Sequence, residues 1–176
     1  TPIYKHYRLQ ELQDIPEVSI SWTDKYKVNI QTYTVNRPAD CIAYLCKNYE
    51  SYDEDWNWHF FVNSVEFISK VIKKAELKPD EVKIVCSKSR ENRRKNQVKL
   101  GADYEIAEPL DPIKRFNFYT STCFEGCDIY DPKGLTFIVN DGNVQHTLID
   151  VGTLFTQIAG RIRDSEYNKS GIVHIY

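Results

Sequence analysis

The 176-residue chain contains no methionine and opens on Thr-Pro-Ile, so it reads as a piece cut from a longer protein whose natural start lies upstream. No run of eighteen apolar residues occurs, so no transmembrane helix and no membrane partner is expected. No signal peptide opens it, and a cytoplasmic location is expected. Net charge is only -2, so no global field draws the chain to nucleic acid, and any such binding must be local. No Cys-x-x-Cys pair appears. The five cysteines, Cys41, Cys46, Cys86, Cys123 and Cys127, are odd in number and read as reduced thiols. A metal site from Cys41, Cys46, Cys123 and Cys127 is the alternative, but its spacings are loose for zinc. A phosphate-cradling Gly-x-x-x-x-Gly-Lys-Ser/Thr loop is missing, and so is Gly-x-Gly-x-x-Gly. His6, His59, His146 and His174 are scattered, with no convincing nucleophile–base pair. A small-molecule enzyme therefore lacks support.

What is present is apolar and aromatic enough for a real core, at 41% hydrophobic and 13% aromatic residues. Residues 1–56 read as a strand-rich lead-in. Val18, Ile20 and Trp22 alternate with polar neighbours, as do Tyr26, Val28 and Ile30, with a hairpin break at Thr23-Asp24-Lys25. Pro38 then starts a helix whose apolar face is Ile42, Leu45, Cys46 and Tyr49. Asp53-Glu54-Asp55-Trp56 is rejected as a metal-binding carboxylate box, because no buried strand precedes it.

Residues 57–176 alternate strands and helices. Trp58–Val62 reads as a buried strand ending at Asn63-Ser64, with Ser64 capping a helix striped by Val65, Ile68, Val71 and Ile72. Val82–Cys86 is a second strand, followed by Ser87-Lys88 and the basic run through Arg93 and Arg94. From Lys83 to Lys99 seven residues are basic and one, Glu91, is acidic. A solvated helix face would show the same charges, whereas a phosphate-backbone contact needs them. Asp103–Ile106 is expected as a short strand, and Pro109 and Pro112 keep residues 108–114 as loop. Leu135–Val139 and Ile172–Tyr176 complete a parallel sheet with helices on its faces. Ligands bind such a sheet at the carboxyl ends of its strands. That rim would hold Asn63, Ser64, Ser87, Lys88, Thr120, Ser121 and Asp128.

The stretch that organises the chain runs from Phe116 to Arg163. Its first half is a buried strand ending in Thr120-Ser121-Thr122, then Gly126 and Asp128. Its second half closes on Gln157-x-x-Gly160-Arg161-x-Arg163. On a helix Gln157 and Arg161 share a face, whereas Arg161 and Arg163 point about 200° apart unless the helix ends near Gly160. Surface pairing of these arginines with Asp164 or Glu166 is the alternative.

These two halves resemble motifs V and VI of superfamily 2 helicases, in the second of their two RecA-like domains. Thr120 stands six residues before Gly126 and Asp128 two after it, as in motif V. Gln157, Gly160 and Arg161 match the start of motif VI, with an ending closest to the origin-binding-protein type. The chain departs from the usual pattern at Asp164, where a second arginine is common, and at Glu125, usually small or basic. The resemblance covers about Trp58 to Tyr176. It implies a RecA-like, doubly wound parallel sheet. It further implies a C-terminal motor domain working with ATP and Mg2+, DNA or RNA, and a missing N-terminal RecA-like domain. Arg161, Arg163 and Gln157 would be catalytic. Gly126, Asp128 and Gly160 would meet the nucleotide. Asn63, Ser64, Ser87, Lys88, Arg93, Arg94, Thr120 and Ser121 would meet nucleic acid. The parent would hydrolyse ATP, and the chain alone would be silent. The competing expectation is a non-catalytic RecA-like module that binds nucleic acid or a protein partner.

Overall fold

A computed structural model describes residues 28–52 and 55–176. The expected hairpin at Thr23-Asp24-Lys25, the strand of Val18, Ile20 and Trp22, and Asp53-Glu54 lie outside the described residues.

Six strands form one sheet: β1 (Ile30–Tyr33), β2 (Asn57–Phe61), β3 (Val82–Val85), β4 (Phe116–Tyr119), β6 (Gly134–Val139) and β8 (Ile172–Ile175). Their order is β1-β8-β6-β2-β4-β3, and every neighbouring pair is parallel. The central strands are apolar runs because a parallel sheet covered on both faces leaves no strand face to water. Successive side chains alternate between the faces. Trp58, Phe60, Ile84, Phe118 and Phe137 enter one core with helices α1 (Pro38–Lys47), α2 (Val65–Ala75) and α3 (Arg90–Leu100). Phe61, Val85, Tyr119 and Ile138 enter the other, with Phe155 and Ile158 of helix α4 (Leu154–Ala159). This is the doubly wound parallel α/β fold that the strand–helix alternation predicted.

Local signals place the elements as read. Pro38 sits in the first turn of α1. The Ser64 hydroxyl caps α2 by accepting from the Phe67 N–H at 3.2 Å, and the helix ends at left-handed Glu76. Strand β1 hydrogen-bonds to β8 at the sheet edge and α1 packs on α2. The tail of the 1–56 segment therefore shares the main sheet and its helix layer.

Two expectations need correction, and one open alternative is decided. Asp103–Ile106 forms no strand: Ile106 makes a single bridge to Ile84, and the chain then turns into the 108–114 loop. That loop is tied down by Lys83, whose ammonium donates to the carbonyls of Pro109, at 2.8 Å, and Asp111. Lys83 is thus buried inside the sheet and leaves the basic face. The motif VI helix stops at Ala159, because the Gly160 N–H turns back to the Gln157 carbonyl. Ile162–Arg163 becomes strand β7, which pairs in parallel with β5 (Ile129–Tyr130). The short helix α5 (Glu166–Ser170) then leads into β8. Among the described residues no helix is long and apolar enough to cross a membrane.

Candidate functional site

The chain leaves β4 at the carboxyl rim through Thr120 and a single 3-10 turn, Ser121–Cys123. Gly126, at φ +73°, bends the loop into a conformation that side-chain-bearing residues rarely adopt. A Cβ there would meet nothing within 4 Å, so the backbone angle and not crowding asks for glycine. The bend delivers Cys127 and Asp128 to the end of α4.

There the early stop of α4 matters. Because β7 is extended, Arg161 and Arg163 both reach one carboxylate. Arg161 Nη1 lies 3.7 Å and Arg163 Nη2 3.2 Å from Asp128 Oδ1. Neither pairs with Asp164 or Glu166 among the described residues. Arg161 is fixed on three sides: Nε donates to the Gln157 carbonyl at 2.9 Å, Nη1 to the Cys127 carbonyl at 2.9 Å, and Nη2 to Gln157 Oε1 at 3.3 Å. Its side chain is 12% exposed, against 46% for Arg163. Gly126, Asp128, Thr156, Gln157, Gly160, Arg161 and Arg163 line one open pocket of about 450 Å³. All six residues expected at the nucleotide are therefore together, although Gln157 and Arg161 meet across a helix end and not along one helix face.

A second pocket of about 290 Å³ lies at the strand ends. It gathers Asn63, Ser64, Ser87, Thr120 and Ser121. Several of these groups already hold the rim together. Asn63 accepts from the Ser121 N–H at 3.2 Å and donates to the His146 carbonyl at 2.9 Å. Thr120 and Thr122 hydroxyls are 3.2 Å apart. Glu66 of α2 also lines it, as do Asn92, Asn96 and Lys99 of α3. The α3 residues were missed, yet their i, i+4, i+7 spacing marks one helix face. Three expected residues stay outside this pocket. Lys88 reaches Glu108 at 2.6 Å, while Arg93 and Arg94 stand on the exposed side of α3.

A buried polar cluster was also missed. His59 Nε2 lies 2.8 Å from Asp131 Oδ2 and Nδ1 lies 3.1 Å from the Tyr119 hydroxyl, with His59 fully buried. Asn57 Nδ2 donates to the same carboxylate. Burial holds the His59 pKa below its ordinary value despite Asp131, so the ring is neutral. It then donates from Nε2 and accepts from Tyr119. Burial raises the Asp131 carboxyl, but hydrogen bonds from His59, Asn57 and the Lys133 N–H more than offset this and keep it ionised. The Asp131 N–H donates to the Arg163 carbonyl at 3.1 Å, so this cluster braces the strand that carries Arg163.

The two guanidinium groups and the Gln157 amide face an open pocket and fit the oxygens of a phosphate. Magnesium does not fit here: Asp128 is engaged by both arginines, and among the described residues no group of three His, Cys, Asp or Glu could hold a metal. Cys46 packs in one core and Cys123 in the other, so the four cysteines weighed for zinc do not converge. Comparison with protein-family models, with curated proteins and with solved structures finds no match to this chain.

Proposed function

We propose that this chain is the C-terminal motor domain of an ATP-dependent nucleic-acid helicase or translocase. One observation carries the reading: Gly126, Asp128, Gln157, Gly160, Arg161 and Arg163 converge on one open pocket. Phosphoryl transfer to water needs a phosphate cradle, a metal and cations where charge develops. This chain would supply only the cations. The cradle and the metal carboxylates would come from a preceding RecA-like domain, and the arginines would act across the cleft between the two. The pocket at the strand ends, lined mainly by hydroxyls and amides, would take the sugar–phosphate backbone of DNA or RNA, with Lys99, Arg93 and Arg94 adding charge from α3.

A second reading is a non-catalytic module that binds nucleic acid or a protein. It draws on the engagement of Arg161 by Gln157, Cys127 and Asp128, which a purely structural arginine would also show. The two readings part on turnover. The chain alone should hydrolyse no ATP, whereas the longer protein that carries it should, with stimulation by nucleic acid. Steady turnover by purified 1–176, contaminating ATPase excluded, overturns the half-motor reading. Silence of the longer protein favours the binding module.

A further inference from the structure

The loop between β4 and β5 carries two cysteines, and its fold brings them together. Cys123 ends the 3-10 turn and is fully buried among Phe61, Tyr119 and Phe124. Cys127 is half-buried, packs against the same core, and its thiol donates back to the Cys123 carbonyl at 3.4 Å. Gly126 at φ +73° makes this return possible. The carbonyl of Cys127 holds Arg161, and the next residue, Asp128, pairs with both arginines.

We propose that Cys123 and Cys127 are a reversible dithiol pair that closes to a disulfide within this loop, at the turn whose carbonyl holds Arg161.

The roles of the two thiols differ. The Cys123 side chain beside it holds the Cys127 pKa below its ordinary value against partial burial, with Arg161 helping. The Cys123 thiol is pushed far up, by the Cys127 thiolate and by burial, and stays protonated. Cys127 is the solvent-reachable member and sits beside Arg161, so it attacks, and the fully buried Cys123 resolves. With a hydroperoxide as oxidant, the Cys127 thiolate takes the terminal oxygen and the O–O bond breaks. The leaving hydroxide or alkoxide takes up the proton that Cys127 had released, and Cys127 becomes a sulfenic acid. The Cys123 sulfur then attacks the Cys127 sulfur, the S–O bond breaks, and the expelled hydroxide leaves as water with the Cys123 proton. Two thiols are oxidised by two electrons and one peroxide is reduced. A thiol reductant reverses the step by exchange.

Hydrogen peroxide titrated into the whole chain tests this, followed by peptide mapping under non-reducing conditions. The peptide spanning Cys123 and Cys127 should lose two hydrogens before Cys41, Cys46 or Cys86 is modified, and dithiothreitol should restore it. Alkylation of Cys127 by iodoacetamide should titrate below the ordinary thiol range. In Cys123→Ala, dimedone should trap Cys127 as the sulfenic acid. If that core variant does not fold, Cys127→Ser serves, and there Cys123 should stay reduced throughout the titration. Sulfinic acid at Cys127 with Cys123 free, or prior oxidation of Cys41, overturns the proposal. No readout involves ATP or nucleic acid, so its failure is distinguishable from failure of the motor reading.

Discussion

The two pockets fed by the loop after β4 are built from opposite chemistry. The arginine pocket concentrates two cations and one anion on a few atoms. The strand-end pocket is lined mainly by hydroxyls and amides, with Glu66 and Lys99 at its edge. In the proposed motor such a difference would separate tasks. Fixed charge in a partly dry site suits a group whose charge grows during reaction, because the cations need no reorganisation. Neutral donors suit a ligand that must be held and released, since positioning contacts to a sugar–phosphate chain need no strong pairing. The same loop joins the two, from Thr120 in one pocket to Asp128 in the other. Seven residues of backbone separate them.

The largest expected effect breaks the charged pocket. Arg161→Ala in the longer protein should lower kcat by roughly 10³-fold, the scale of an arginine finger, with little change in nucleic-acid affinity. The end of α4 at Ala159 alters what is expected of its neighbour. Had the helix continued, Arg163 would point away, but here it reaches Asp128 as Arg161 does. Arg163→Ala should therefore approach the same loss. Steady-state turnover at saturating nucleic acid decides this, and unchanged kcat in both variants would make the pair structural.

Next in size is the brace beneath the charged pocket. His59→Ala removes a neutral donor from the buried Asp131 carboxylate, which keeps Asn57 and the Lys133 N–H, and a hydrogen bond to a charged group contributes about 1.5–3 kcal/mol. Urea unfolding should report it, and a variant as stable as the parent would deny the pair any role. The sign of the pH dependence follows from the same ring. His59 is held neutral when folded but titrates near 6.5 when unfolded, so below that pH the unfolded state binds the extra proton. Its contribution is complete above about pH 6.5 and is lost as pH falls further. His174, also depressed by burial, acts in the same direction. Stability should drop between pH 7.5 and 5.5, and His59→Gln should flatten that drop. A slope of the opposite sign would mean the ring is protonated in the fold.

How much of this was legible depended on range. Strands such as Phe116–Tyr119 show in the sequence because burial on both faces makes them continuous apolar runs, and Ser64 shows because a cap is a local signal. The convergence of Gly126, Asp128, Gln157 and Arg161 was legible through motif spacing. The end of α4 near Gly160 was legible only as an open alternative: Ile162 is as apolar as a helix position requires, and only its pairing with Ile129 makes it a strand. Two-residue strands carry no period to read. Lys83 looked like one more cation in a basic run, but its ammonium is satisfied by the carbonyls of Pro109 and Asp111, far along the chain. His59 and Asp131 are 72 residues apart, and nothing local to either announces the other.

The smallest expected effect sharpens the neutral pocket. Lys88, Arg93 and Arg94 were grouped in the sequence as one phosphate-binding run, but their surroundings differ. Lys88 is already paired with Glu108 at 2.6 Å, so a phosphate must displace a carboxylate to reach it. Arg93 and Arg94 are exposed, and among the described residues no carboxylate pairs with either. Each cation that neutralises a phosphate on a single strand contributes about 0.7 to the slope of log K against log salt. Reversing Arg93 and Arg94 to Glu should therefore flatten the slope by roughly 1.4, counting one phosphate for each. Lys88→Glu alone should flatten it by less than the roughly 0.7 that one free cation gives. Fluorescence anisotropy with a labelled single strand across a salt series measures both. If Lys88→Glu has the larger effect, the Glu108 pair is positioning Lys88 for phosphate, and the backbone then runs over the 108–114 loop. If no variant changes the slope, the strand binds by the neutral rim alone, and α3 is a solvated face.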